Sequence, residues 1–180
     1  FANVDLIEEI SAGSEVAIPY HVALAQIMEA YTYISLVDYV GDVPYSQANQ
    51  FGDFPTPALD AGEDVYTAQI ALLDTAIANL NQESAVIPQD LFYGSFDADN
   101  WIAVANTLKL KAHLNMGNGG AISALLSENI IDNDDEDFQF NYSTSTSPES
   151  RSPIFQGNYP NGTGFYMSNG FLDMLNAGDA

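Results

Sequence analysis

Apolar residues recur at helical spacing in three stretches of the chain. From Ala23 to Val40, residues Leu24, Ile27, Met28, Tyr31 and Ile34 follow i, i+3, i+4, i+7 spacing, and Leu36, Val37 and Val40 widen the stripe. This predicts a helix buried on more than one side, stopped by Gly41 with Pro44 shortly beyond it. From Asp64 to Leu80 the stripe is Tyr66, Ile70, Leu73, Ile77 and Leu80, with Asp60 and Glu63 expected to form a capping-box-like start. The third helix is predicted from Asp99 to Met116, with Asp97 as N-cap. Trp101, Val104, Leu108 and Ala112 share one of its faces, Ile102, Ala105 and Leu110 lie beside them, and Gly117, Gly119 and Gly120 end it. A short helix over 121–129 follows.

Between these helices the pattern breaks. Residues 41–62 carry Pro44, Pro55, Pro57, Gly52 and Gly62 and read as a long loop, and 81–98 carry Pro88 with Phe92, Tyr93 and Phe96. After the acidic run Asp132, Asp134, Asp135, Glu136 and Asp137 the character changes: from Phe138 to Leu172 only Glu149 and Arg151 are charged, and Ser, Thr, Asn, Gly and Pro alternate with Phe and Tyr. Irregular structure is expected there, with a short strand at Phe138–Tyr142. Leu24, Tyr66 and Trp101, near the three helix starts, are 42 and 35 residues apart. That is near the period of about 34 of tetratricopeptide repeats, although the connections are too long for a regular array. The expected fold is mostly α: tetratricopeptide-like helical pairs with long loop insertions, one domain over 1–180, with a helical scaffold at 21–131 and an irregular aromatic and polar region at 132–172.

Charge narrows the partners. The 180 residues are 47% hydrophobic, enough for a sizeable core, but 25 Asp and Glu stand against Lys109, Lys111 and Arg151, a formal net charge of -22. Neutralising phosphates needs clusters of Lys and Arg, so nucleic acid is excluded as a partner. The same field repels anionic lipid and, without a bridging cation, acidic polymers, and favours neutral ligands or cations. With no cysteine, disulfides, thiolate metal sites and a Cys nucleophile are all excluded. No run of 18 or more apolar residues occurs. The chain begins at Phe1 without a charged n-region and apolar h-region, and is read as a piece of a longer protein whose export signal, if any, was removed.

Most candidate chemistry is weak. A calcium loop starting at Asp132 needs Gly at its sixth position and Glu at its twelfth, where the chain has Asp137 and Ser143. Asp97, Asp99 and Asn100 are explained by helix capping. A glycosidase needs two facing carboxylates, one held protonated, and among 25 acids some pair always looks eligible. His21 and His113 have no metal-binding spacing, and Gly117-Asn118-Gly119-Gly120 follows a helix, as a C-cap does, and not a strand, as a phosphate loop would. No catalytic residue, metal or cofactor is assigned. The aromatics are more informative, because a sugar stacks its C–H face on an aromatic ring and pairs its hydroxyls with amides and carboxylates. Trp101 and Tyr66 lie on helical stripes and are read as core. The loop residues Phe51, Phe54, Tyr142, Phe155, Asn158, Tyr159, Phe165 and Tyr166 are the candidate ligand-binding set, with Asn161 and Asn169 nearby. The alternative for a long uncharged loop is packing against another part of the protein.

Three blocks in order carry a resemblance. Ala25-Gln26-Ile27-Met28-Glu29-Ala30-Tyr31 runs on to Asp38-Tyr39-Val40-Gly41-Asp42-Val43-Pro44-Tyr45-Ser46-Gln47-Ala48. Glu63-Asp64-Val65-Tyr66 opens a helix closed by Ala76-Ile77-Ala78-Asn79-Leu80. Asp90-Leu91-Phe92-Tyr93-Gly94 precedes Trp101 and Asn106-Thr107-Leu108-Lys109-Leu110-Lys111. Together with Ser168-Asn169-Gly170-Phe171-Leu172-Asp173-Met174-Leu175, the chain resembles the SusD/RagB family of Bacteroidetes outer-membrane lipoproteins. The resemblance implies a longer, non-catalytic protein on a tetratricopeptide-like scaffold, held to the extracellular face of the outer membrane by a lipidated N-terminal Cys. It also implies a SusC-type TonB-dependent transporter as partner and oligosaccharide as ligand. Peptide capture and a transporter-docking scaffold without its own ligand site are the alternatives. This chain lacks the lipidated Cys and the family's C-terminal portion, so membrane association would come only through an anchor missing from it.

Overall fold

The computed structural model describes residues 2–13, 17–50, 52–147, 149–158 and 168–178. They form α1 (Ala2–Gly13), α2 (Pro19–Val40), α3 (Gly62–Leu80), α4 (Ala98–Asn115), α5 (Gly119–Leu125), α6 (Pro153–Asn158) and α7 (Asn169–Gly178), with a 3-10 turn at Asp134–Glu136. The chain divides into two compact units, 1–139 and 140–180. Among the described residues, no helix is long and apolar enough to cross a membrane.

In the first unit α2, α3 and α4 run alternately up and down. Gln26 near the start of α2 accepts from Asn79 near the end of α3 (3.1 Å), while the far end of α2 meets Gly62 at the start of α3. Tyr66 and Asp74 of α3 pair with Asn115 (3.2 Å) and Lys109 (2.6 Å) of α4. The core is built from Ile27, Ile34 and Val37 on α2, Val65, Leu73 and Leu80 on α3, and Trp101, Val104 and Leu108 on α4. The mostly-α expectation therefore holds, and so do the three long helices, each longer at its start than the stripe alone indicated. Pro19 explains the earlier start of α2, because its fixed φ and missing N–H suit the first helical position.

Several details differ from the pattern. On α2 the buried face is rotated: Gln26, Ala30 and Tyr33 are inside, whereas Tyr31 is 43% exposed and Leu36 and Val40 face solvent. Gln26 is tolerated inside because it donates to Glu8 of α1 (2.7 Å) and accepts from Asn79, bridging three helices. α1 was not expected, and its Leu6 and Ile10 are largely exposed. The capping box at Asp60 does not form. The Gly62 N–H instead reaches Asp42 across the loop (3.0 Å), and Asp60 accepts from Tyr45 N, Ser46 N and Ser46 Oγ at 2.7–2.9 Å. These bonds and a Val43–Asp60 backbone bridge fold the 41–62 loop back on itself. Gly41 ends α2 at φ +82°, and Asp97 caps α4 by accepting from Asp99 N (3.0 Å), both as the sequence indicates.

Gly117, at φ +70°, ends the α4 segment, and Gly119 and Gly120 instead open α5. α5 stops at Leu125, short of Asn129, because Asn129 is drawn into tertiary bonds: its carbonyl accepts from Asn106 (2.9 Å) and its amide donates to Asp99 O (2.8 Å). The expected strand at Phe138–Tyr142 does not form: the described residues contain only isolated bridges. Phe138 instead stacks on Phe92 at 4.4 Å and meets Trp101 edge-on at 5.5 Å, which holds it against the core. The stretch expected to be irregular, 132–172, contains the 3-10 turn, α6 and the first residues of α7.

Candidate ligand-binding site

The second unit carries a concavity of 400 Å³ lined by Tyr142, Ser143, Thr144, Arg151, Ser152 and Phe155. Its volume lies within the range of about 300–1,000 Å³ usual for small-ligand sites. The lining comes from the loop before residue 150 and from the start of α6. Ser143 N donates to Ser150 O (2.9 Å), the two hydroxyls of Ser143 and Ser150 share a hydrogen bond of 2.5 Å, and Ser150 N donates to Ser145 O (3.2 Å). These bonds close a tight loop between the two halves of the lining. Short polar side chains make this possible, since serine hydroxyls readily bond nearby backbone.

The rings are accessible. Tyr142 is 55% exposed and Phe155 44% exposed, with Tyr142 edge-on to Phe140 at 5.1 Å. Arg151 donates through Nε and Nη2 to the two carboxylate oxygens of Glu149 at 2.9 and 2.7 Å, and its guanidinium lies 5.8 Å from the centroid of Phe155. The Arg151 hydrogen bonds push the Glu149 carboxyl down to about 2, so the pair is charged on both sides at neutral pH. Gln156 donates to the Arg151 carbonyl (2.8 Å) and ties the pair to α6. The arrangement is an aromatic floor edged by hydroxyls and one internally neutralised cation.

The structure thus brings together two of the eight residues expected from sequence, Tyr142 and Phe155. Phe54 belongs to the first unit, where its N–H donates to Gln50 O (2.7 Å) and its ring is partly exposed. Asn158 is the last residue of α6, whereas Phe51, Tyr159, Phe165 and Tyr166 lie outside the described residues, as does Asn161. The concavity also gathers Ser143, Thr144, Arg151 and Ser152, which were not among the sequence candidates. The available signal was Glu149-x-Arg151, the one charged pair in a long uncharged stretch.

Two concavities in the first unit are less suited to a sugar. A groove of 590 Å³ between α3, α4 and α5 is larger, but no Trp, Tyr or Phe lines it, and Lys109 and Asp74 are already paired across it. A smaller one of 290 Å³ contains Tyr33 and Tyr45, whose rings pack edge-to-face on each other at 4.9 Å. Trp101 and Tyr66 are core, as their stripe positions indicate. Trp101 is 1% exposed and donates Nε1 to Asp90 (2.7 Å), and Tyr66 bonds Asp38, which Lys111 also holds at 2.6 Å. The acidic run folds into the 3-10 turn with Asn133 capping Asp135 N (3.0 Å), and among the described residues no group of three His, Cys, Asp or Glu gathers to hold a metal.

Residues 2–179 match the family model of SusD-like proteins described as starch-binding and associating with the outer membrane. The chain belongs to the SusD-like family. A crystal structure of a SusD/RagB family protein from Bacteroides thetaiotaomicron shares 26% identity over 80% of this chain and 31% of its own, with a TM-score of 0.67. A SusD homologue from Bacteroides fragilis has the same fold over 97% of this chain and 38% of its own, at 24% identity and a TM-score of 0.74. A chitin-binding SusD homologue from Flavobacterium johnsoniae does so over 80% of this chain and 32% of its own, at 23% identity and a TM-score of 0.63. The chain therefore spans about a third of the length of these SusD-like structures. No protein of curated function matches the sequence.

Proposed function

We propose that this SusD-like chain belongs to a cell-surface protein that captures a neutral oligosaccharide at the outer membrane and passes it to a SusC-type TonB-dependent transporter, without catalysing a reaction. One observation carries the reading: Tyr142 and Phe155 present exposed rings in one concavity beside the hydroxyls of Ser143, Thr144 and Ser152. That pairing of a ring face with short hydroxyls is what a pyranose ring needs. Family membership supports the outer-membrane setting, and the chitin-binding relative supports a glycan as the ligand class. The charge of -22 and three basic residues favour an uncharged sugar over an acidic polymer or an acidic peptide. Among the described residues, the carboxyls whose ionisation departs from the ordinary range, Asp38, Asp60 and Glu149, are all pushed down, the wrong direction for the protonated acid of a glycosidase.

The test is affinity electrophoresis through gels containing neutral polysaccharides (xylan, galactan, starch and glycol chitin). Retardation in at least one gel is expected, weakened about tenfold or more by Tyr142→Ala and by Phe155→Ala, on the scale of a lost aromatic contact. Wild-type protein that migrates freely in every neutral gel overturns the reading, as does retardation unchanged in both variants.

A further inference from the structure

The chain's one arginine stands at the edge of the Tyr142–Phe155 concavity, where a guanidinium would be expected to attract acidic sugars. Its geometry opposes that. Arginine recognises a carboxylate best through two parallel N–H···O bonds from one edge of the guanidinium. The side-on edge, Nε with Nη2, already holds both oxygens of Glu149, and the charge that the end-on edge, Nη1 with Nη2, would offer a second carboxylate is neutralised by the first. Glu149 Oε1 also accepts from the Arg151 backbone N–H at 3.1 Å, which fixes the carboxylate close to the chain that bears its partner. The guanidinium carbon lies over the Phe155 ring, 5.8 Å from its centroid, so the cation is engaged by both an acid and a ring within the second unit. The loop that carries Glu149 is held by the Ser143–Ser150 bonds and by a Thr146–Glu149 backbone bridge, so the carboxylate is preorganised.

We propose that Glu149 determines the charge selectivity of this site: by occupying the side-on edge of Arg151 and neutralising its charge it keeps the concavity for neutral sugars, and without it the same concavity takes a uronic acid. The inference rests on the glycan-binding reading above and specifies its substrate class. A uronate carboxylate entering from solution has either to displace one tethered two residues away, whose effective concentration is far higher, or to share one cation with it against like-charge repulsion. Protonation does not relieve the block at ordinary pH, because Arg151 holds the Glu149 carboxyl near 2. The net charge of the protein repels uronates as well, but that long-range field is screened beyond a Debye length of about 8 Å at physiological salt. Discrimination at contact therefore falls to the residue on the arginine.

The full chain is compared with Glu149→Gln, Glu149→Ala, the double variant Glu149→Gln/Arg151→Gln and the charge control Glu128→Gln. Each is run through the neutral gels above and through gels of polygalacturonate and alginate, after circular dichroism has verified equal helix content. Glu149→Gln and Glu149→Ala are expected to keep neutral-glycan binding and to gain about tenfold in affinity for a uronate polymer, the scale of one charge-assisted pair. The double variant is expected to lose that gain, and Glu128→Gln, which lowers the net charge equally, is expected to show none. If both Glu149 variants bind uronate no better than wild type or Glu128→Gln while neutral binding persists, the selectivity role is overturned and the capture reading stands. A uronate gain with no wild-type binding to any neutral glycan upholds the role of Glu149 and overturns the neutral capture reading. Free migration of every variant in every gel overturns both.

Discussion

Asp90 and Glu149, one in each unit, are both carboxylates set among aromatic rings, and they have opposite consequences. Asp90 is buried; it accepts from Trp101 Nε1 and, through its other oxygen, from Phe92 N and Tyr93 N at 2.8 and 2.9 Å. Every polar group it meets is satisfied, so Trp101, Phe92, Tyr93 and Phe138 close into a continuous aromatic cluster. Glu149 lies in an exposed loop and bonds a cation, and the rings beside it stay open to solvent. The same kinds of side chain make core in the first unit and an exposed concavity in the second. What differs is the helical frame: the Asp90 cluster is continuous with the core that α2, α3 and α4 share, whereas no residue of α7 is buried and the apolar residues of α6, Ile154 and Phe155, are exposed.

If that contrast is right, the largest effect belongs to Trp101. Trp101→Ala removes a fully buried ring and leaves the Asp90 carboxylate without one partner, so a loss of about 3–5 kcal/mol is expected in urea unfolding followed by circular dichroism. Tyr142→Ala is expected to change stability by no more than about 0.5 kcal/mol in the same assay. Comparable losses for the two would abolish the distinction between core and surface.

A smaller effect is expected at Gly62, where the turn after α2 meets the start of α3. A Cβ there would lie 2.9 Å from Val37 Cγ1 and 3.4 Å from the Gly41 carbonyl. Val37 is buried and stiff at χ1, so Gly62→Ala is expected to destabilise by about 1–2 kcal/mol even though alanine is the better helix former by up to about 1 kcal/mol. A stabilised variant would show that this junction is looser than its contacts indicate.

The smallest effect concerns Asp60. The Ser46 hydroxyl, followed by the Ser46 and Tyr45 backbone N–H groups, holds its carboxyl below the ordinary range. A depressed folded value means a contribution present above the unfolded value and lost as pH falls through the folded one. Asp60→Asn is expected to cost about 1 kcal/mol at neutral pH, a figure kept low because the site is partly exposed. The gap to wild type should narrow below about pH 4, as the wild-type carboxyl protonates. A gap that widens in acid would remove Asp60 as the clasp of the 41–62 loop.

Much of the first unit was legible because a helix writes its burial into the sequence at a fixed period. Trp101, Val104, Leu108 and Ala112 are all inside, as their spacing indicates, and Gly41 and Asp97 mark helix ends through backbone chemistry local to them. The departures involve partners far along the chain. Gln26 is buried because Glu8 and Asn79 meet it, and Asp60 left its expected capping role because Tyr45 and Ser46 lie beside it. In the second unit, aromatics among hydroxyls and amides were visible as a composition, which placed Tyr142 and Phe155 among the eight candidates. Composition has no period, however, and did not reveal which of the eight residues share a concavity or that Arg151 stands at its edge.

The sequence by itself determined the three long helices, the core standing of Trp101 and Tyr66, the acidic charge, and the blocks that identify a SusD-like chain, because each depends on residue types at short separations. Tertiary structure alone decided which face of α2 turns inward and how Asp42 and Asp60 divide the work of holding the 41–62 loop. These are choices among geometries that the same sequence pattern allows. They are settled by which polar groups find partners once the helices have packed.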